Sequence, residues 1–387
     1  MIKHILKLIW NKKGSNALMV FEIFLSFLVL FAVLSYVFYN LERVNKPLGF
    51  ETQDRWMISL DNVSTMDSTE AVTTMQNLKQ NLLAQEEIEG VSFSKSIAPF
   101  TNNQWYNGND DNGFDMAAAI VPTDIFLKDV LDLNIIEGRW FTEADASASY
   151  DPILVNKNFI DKYYPGKTMI DSMIEFAGTN KIIGVVDEYR YVGEFEEDYQ
   201  IVFLRKDYTA NRDYAILKMK PHTNTAYEEK LSHILNTTTK SSGSVIQKME
   251  KRKVDKSLNS WILLISLLAM CGFLCLNVAL GLFGVLSYAI SKRKSEIGLR
   301  QALGAHSFDI TKQFILEVLI LAGVAIIIGI FFTIQVPLLK MTEYSDIYFY
   351  KAIVYSAGII LVLVFACALF PSLQAARITP ANSLHED

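Results

Sequence analysis

The sequence predicts an α-helical membrane protein with four transmembrane helices and one large α+β extracytoplasmic domain carried between the first two. Three observations lead there. Four apolar stretches each reach the length needed to cross about 30 Å of hydrocarbon at about 1.5 Å per residue. The polar stretch between the first two, residues 40–260, has ordinary globular texture and is long enough to bury a core of its own. Lys and Arg crowd the short segments beside the spans on one side only. The whole chain is 51% hydrophobic with a mean hydropathy of +0.21, averages that conceal this division.

The N-terminal tail holds Lys3, Lys7, Lys12 and Lys13 and no acid. It leads into a first span at 17–39, whose apolar run of about 22 residues exceeds the ~7–15 of a signal-peptide core. Ser35–Asn40 offers no small-residue cleavage site, so the span is expected to be retained. Further spans follow at 261–290, 313–337 and 352–370, with a short outer loop at 338–351 and a tail at 371–387. The 291–312 loop carries Lys292, Arg293, Lys294 and Arg300 against Glu296 and Asp309, while the loop between spans three and four is balanced. Both termini and the 291–312 loop are therefore expected in the cytoplasm and residues 40–260 outside. Residues 41–257 hold 24 Lys+Arg and 34 Asp+Glu, a net charge of −10, which argues against nucleic acid as a partner. Cys271, Cys275 and Cys367 all fall within spans and read as packing residues, leaving the outer domain to stand without disulfides.

Inside the outer domain, strand and helix signals alternate. Arg55–Leu60 reads as a strand, Ser68–Gln85 as a helix capped by Ser68 or Thr69, and Val91–Ile97 as a second strand. The order returns with Tyr214–Lys220, Thr225–Leu235 and Ser244–Gln247, so two strand-helix-strand units flank a middle section. That section, about 113–204, reads as an inserted subdomain, with strands at Asp115–Val121 and Asp151–Val155, short helices at Thr123–Leu131 and Asn156–Tyr164, and a hairpin turned near Gly178. The acidic segment Tyr189–Asp198, with Glu194, Glus 196 and 197, and Asp198, reads as a solvated, mobile loop, with contact to a partner or ligand as the alternative. From Gln247 to Lys256 nothing breaks a helix, so a stalk helix over about 246–260 is expected to run on into the second span.

Catalytic patterns are missing. Pro165–Thr168 resembles the tail of a phosphate-binding loop, but the position that must be Gly is Asp161. The five histidines have no metal-ligand spacing, and there is no Gly-x-Ser-x-Gly turn. The chain is read as non-catalytic, with no cofactor and no metal of its own. Among residues within the spans, Glu22, Asn277 and Glu317 are singled out, because polar groups in hydrocarbon are costly. Glu22 and Glu317 are weighed between structural pairing at the inner interface and a role in coupling; Asn277, with Gly272, Gly281 and Gly284, suits close helix packing.

The run from Lys292 to Ala305 (KRKSEIGLRQALGA), together with Gln313–Glu317 (QFILE) and Pro371–Pro380 (PSLQAARITP), resembles the permeases of the MacB and FtsX type, the mechanotransmitting class of ABC transporters. Glu137–Phe141 and Ile182–Asp187 are similar to their periplasmic core domain. The resemblance implies that Glu296, Ile297, Gly298, Leu299, Arg300, Ala302, Leu303, Gly304 and Ala305 form a coupling helix seated in a cytoplasmic ATPase subunit. In that reading Glu296 and Arg300 make polar contacts, and Gly298 and Gly304 allow close approach. Residues 1–16, with Ile2, Ile5, Leu6 and Ile9 opposite Lys3, His4 and Lys7, would lie on the inner membrane surface. The outer halves would form a porter-like subdomain interrupted by the smaller one. ATP would be bound by the partner, a second copy or paralogue would complete a dimer, and an adaptor and outer-membrane channel would complete an efflux assembly in the bacterial inner membrane. Control of a cell-wall hydrolase or release of lipoproteins are alternatives built from the same parts. Members of the MacB branch carry their ATPase fused at the N-terminus; here the first span begins at about residue 17, so a separate ATPase chain is expected.

Overall fold

The computed structural model describes residues 13–61, 68–95, 97–109, 116–176, 178–205, 213–293, 295, 297–299, 303–304, 306–340 and 345–376. They form two compact units, a helical one of residues up to Glu42 and from Trp261 onward, and an α+β one spanning Arg43–Ser260.

Four helices in the helical unit are long and apolar enough to cross a bilayer. They are α1 (Lys13–Asn45), α6 (Met249–Ser291), α7 (Ser307–Thr333) and α9 (Asp346–Ala376), with a short turn α8 (Gln335–Leu338) after α7. α1, α6 and α9 overrun at both ends the apolar runs that announced them, whereas α7 starts earlier than its run but stops at Thr333, short of 337. α9 even continues through Pro371. The amphipathic start at 1–10 lies outside the described residues. Packing in the bundle rests on shape rather than on hydrophobicity, since lipid is as apolar as the helices. Ile23 and Phe27 of α1 are fully buried, and Gly329 of α7 receives the Phe27 ring: a Cβ there would lie 2.3 Å from it.

The α+β unit contains two sheets that share a core. The first has the order β11 (Val245–Lys248), β1 (Arg55–Ser59), β10 (Tyr214–Met219), β2 (Ile88–Ser94), all antiparallel. The two strand-helix-strand units expected from sequence are present, β1-α2-β2 with α2 at Ser68–Leu83 and β10-α5-β11 with α5 at Tyr227–Thr239, but they interleave, each unit placing a strand between the two of the other. That is the split arrangement of ferredoxin-like folds. Ser68 and Thr69, expected to cap α2, fall inside it. Alternation along β1 divides its side chains, Trp56 and Ile58 packing with Leu78 and Leu231 of the helices while Met57 joins the opposite core.

That opposite core belongs equally to a seven-stranded mixed sheet, ordered β3 (Tyr106–Asn109), β4 (Met116–Thr123), β9 (Ile201–Arg205), β6 (Asp151–Asn156), β8 (Thr179–Val186), β5 (Ile135–Gly138), with β7 (Met173–Glu175) also paired to β8. The helices α3 (Leu127–Leu131) and α4 (Lys157–Tyr163) complete it. The inserted subdomain therefore starts at Tyr106 rather than near 113. The hairpin forms as expected, and β3, β5 and β9 were not foreseen. Met57 and Ile216 of the first sheet pack with Val121, Leu154 and Phe203 of the second. Buried Asp124 fastens the junction by accepting from Ser92 Oγ at 2.7 Å and the Phe93 N–H at 2.9 Å. One boundary is corrected. Residues 245–248 are strand, paired to β1 as the Ser244–Gln247 reading expected, so the helix that enters the second span starts at Met249 rather than near 246, and it ends at Ser291. The ladder wins because β1 offers those four residues backbone partners that an isolated first helical turn would lack.

Candidate functional site

Two charged regions of the sequence are resolved into geometry, one in each unit. In the helical unit, Arg293 follows the end of α6 and Glu317 lies in the third turn of α7. Arg293 Nη1 and Nη2 donate to Glu317 Oε2 and Oε1 at 2.9 and 3.2 Å, and each side chain is only 11% exposed. The fork-to-fork geometry satisfies both charges at once. The guanidinium sits 5.8 Å from the Phe314 ring centre, and Ile290, Ile297, Ile310 and Phe314 close a small apolar cluster beside it. Thr311 Oγ1 donates to the Ser372 carbonyl at 3.3 Å, joining α7 to α9. Glu317 therefore finds its partner 24 residues away, at the end of the neighbouring helix.

Of the proposed coupling residues, Glu296, Arg300, Ala302 and Ala305 lie outside the described residues. Ile297 and Gly298 are buried, whereas Leu299 is 56% and Leu303 80% exposed. Phe308, not singled out from sequence, is 74% exposed. The Ile297 N–H bonds to the Arg293 carbonyl and the Leu303 N–H to the Leu299 carbonyl, the i to i−4 pattern of helix. Gly304 has φ +96 with open space where a Cβ would be, so the backbone rather than a close neighbour calls for glycine.

Glu22 meets no basic side chain among the described residues. Its carboxylate rests against Gly281, where a Cβ would come within 2.6 Å of Oε1. Asn277 is exposed and donates to the Phe273 carbonyl of its own helix at 2.9 Å. Gly272 and Gly284 touch nothing within 4 Å of a built Cβ. Of these three glycines of α6, Gly281 is the one with a close neighbour among the described residues.

In the α+β unit the acidic segment 189–198 is tied down by buried and half-buried partners, with Glu197 left exposed. Arg190, whose side chain is 2% exposed, donates to the carbonyls of Arg43, Glu194 and Glu196 at 2.7, 2.8 and 3.1 Å and pairs with Asp198 at 3.0 Å. Arg43, at the end of α1, donates to the Phe195 carbonyl at 2.9 Å. Lys46 pairs with Asp198. Lys253 and Ser257, on the first turns of α6, bond to Glu194 at 2.7 and 3.3 Å. The segment therefore clasps residues 43–46 to residues 253–257, all within the α+β unit. Its base is a tight crossing. The Arg190 N–H bonds to the Leu48 carbonyl at 2.8 Å, and Gly49, at φ +81, passes so near the Glu188 carbonyl that a Cβ would sit 1.6 Å from it. Burial pushes the Glu188 carboxyl above its ordinary range. Net charge pointed to this loop, but Arg190 was hidden from sequence reading, since a single arginine among acids carries no sign of depth.

Four helices able to span a membrane, with an α+β unit between the first two in the chain, define a multi-pass membrane protein that carries a large folded domain between its first two spans. The comparisons agree. Residues 17–234 match the MacB-like periplasmic core domain and residues 260–380 the FtsX-like permease C-terminal domain, and the chain belongs to this family of ABC-type permeases. It is 21% identical over 350 residues to a macrolide export ATP-binding/permease protein MacB of Bdellovibrio bacteriovorus, covering 86% of this chain and 50% of that protein. It is 23% identical over 281 residues to the uncharacterized ABC transporter permease YvrN of Bacillus subtilis, covering 66% of this chain and 67% of that one. The chain spans about half the length of the MacB relatives it matches. Among solved structures, the periplasmic region of MacB from Actinobacillus actinomycetemcomitans aligns with a TM-score of 0.39 at 13% identity, covering 56% of this chain and 97% of that one.

Proposed function

We propose that this chain is the permease subunit of an ABC transporter that takes its power from ATP hydrolysis by a separate cytoplasmic ATPase subunit and drives export by moving its periplasmic core domain. The observation that carries the reading is the segment after α6. It presents Leu299, Leu303 and Phe308 to solvent at 56, 80 and 74% exposure, while the buried Arg293–Glu317 pair and Ile297 anchor it to the bundle. Large exposed apolar side chains beside a charged loop are the chemistry of a protein docking surface. Docking there would push on the ends of α6 and α7, and the 189–198 clasp would make α1 and α6 move together at their other ends. The ATP-binding half in the name of the MacB relatives supports the kind of partner. A second copy would complete the assembly, and the open face of α6 at Gly272, Asn277 and Gly284 supports a helix of that copy as its neighbour. An adaptor and outer-membrane channel would carry the cargo onward.

The test is the double variant Leu299→Asp/Leu303→Asp, co-expressed with the candidate ATPase. Loss of ATPase stimulation with the folded permease intact is expected, and undiminished stimulation would remove the docking assignment. Single cysteines at 303 and 147, in a background lacking the native three, should label from opposite faces of the membrane.

A further inference from the structure

At the end of the bundle where α1 begins, α6 ends and α7 begins, the three helices leave a cleft of about 380 Å³. Its deeper wall is apolar, with Met19, Leu286 and Val318, and its rim is polar, with Lys292 and the Arg293–Glu317 pair. The two charges of that pair cancel. Lys292 does not cancel: it is exposed, it has no acidic partner among the described residues, and its ammonium lies 4.9 Å from the centre of the Tyr288 ring at the cleft wall. A cavity with an apolar floor, an exposed cation without an acidic partner among the described residues at its mouth, and an aromatic side chain beside that cation is complementary to one kind of molecule. We propose that this cleft is a binding site for an anionic phospholipid of the membrane leaflet at that end of the bundle, its acyl chain against Met19, Leu286 and Val318 and its headgroup phosphate at Lys292. Basic pockets between spans on the cytoplasmic side select anionic headgroups, and one lysine near the surface is worth about fivefold in affinity. A zwitterionic lipid fits the same apolar wall, but its own ammonium opposes Lys292. Selectivity rather than occupancy is therefore the signature.

Occupation would bear on the proposed coupling, since the same lipid would brace the helix ends that hold Arg293 and Glu317. The lipid site nonetheless rests only on the geometry of the cleft. The experiment keeps the two apart by using the full-length chain in detergent, without an ATPase and without sidedness. Native mass spectrometry after titration with phosphatidylglycerol or phosphatidylethanolamine should show one retained phosphatidylglycerol per chain, favoured by about fivefold or more. Lys292→Glu should abolish the preference while leaving phosphatidylethanolamine retention unchanged. Lys312→Glu, an equally exposed cation outside the cleft, should leave the preference intact. Equal retention of the two lipids by the unaltered chain, an unaffected Lys292→Glu variant, or an equal loss in Lys312→Glu would each overturn the site.

Discussion

The segment after α6 and the segment 189–198 look alike on paper, both short, charged and between structured elements, yet they end in opposite states. In the first, one ion pair is sealed among helices and large apolar side chains face outward. In the second, Arg190, Arg43, Lys46 and Lys253 all find acceptors, and a run that reads as a solvated acidic loop becomes a clasp with a buried arginine at its centre. The lesson is that net charge does not tell a surface from a tie. What decides is whether partners from elsewhere in the chain come within hydrogen-bond reach, and whether apolar groups nearby are covered or left open.

The contrast can be broken at its strongest point. Arg190→Ala removes a buried cation that serves three carbonyls and Asp198, and should destabilise the α+β unit by about 3–5 kcal/mol, read from urea unfolding of the full-length protein by tryptophan fluorescence. A loss under about 0.5 kcal/mol would return the segment to the solvated-loop reading. Gly49→Ala strikes the base of the same clasp, where the new Cβ would overlap the Glu188 carbonyl. A cost of about 2–4 kcal/mol is expected from clash and positive φ together.

The helical region is sharpened by Glu317→Gln. This variant leaves Arg293 buried without its counter-charge, and should lower the melting temperature in detergent by an amount equivalent to about 2–4 kcal/mol. Arg293→Met combined with Glu317→Leu should recover most of it, because the apolar pair leaves no charge to solvate. If the double variant is no better than the single, the pair contributes more than mutual neutralisation.

The smallest effect concerns neither segment and serves as a reference. Arg139 binds Asp145 through two 2.7 Å bonds, and with the Thr142 N–H it holds that carboxyl well below the usual range. A depressed carboxyl stabilises the fold above the ordinary carboxylate pKa, and the contribution is lost as pH falls through the folded value. Asp145→Asn should therefore cost about 1–3 kcal/mol at neutral pH, with the gap to the unaltered protein closing below about pH 4. A gap independent of pH would mean that the carboxyl is not held down by its arginine.

Much of the architecture was legible early because it is written in local composition. Apolar runs of bilayer length announced four spans, and alternating strand and helix signals announced two strand-helix-strand units. Residues 245–248 drew two readings, a short strand and the start of the stalk helix, for a physical reason: Val-Ile-Gln-Lys is acceptable in either state, and only β1, nearly two hundred residues earlier, supplies the ladder that decides for the strand. The candidate site was half legible. Glu317 stood out as an acid within a span, but its arginine did not, and Gly281 was marked as a packing residue without the Glu22 carboxylate that it accommodates.

By itself, then, the amino-acid order determined how many times the chain crosses the membrane, where its polar domain lies along it, and which turn is basic, since each depends on the properties of a few consecutive residues. The interleaving of the two strand-helix-strand units, the Arg293–Glu317 pair and the burial of Arg190 were decided only in three dimensions. Glu317 lies 24 residues from Arg293, and the Arg43 carbonyl that Arg190 reaches lies 147 residues from it; whether a charge is bound or free depends on which groups the fold brings within about 3 Å of it.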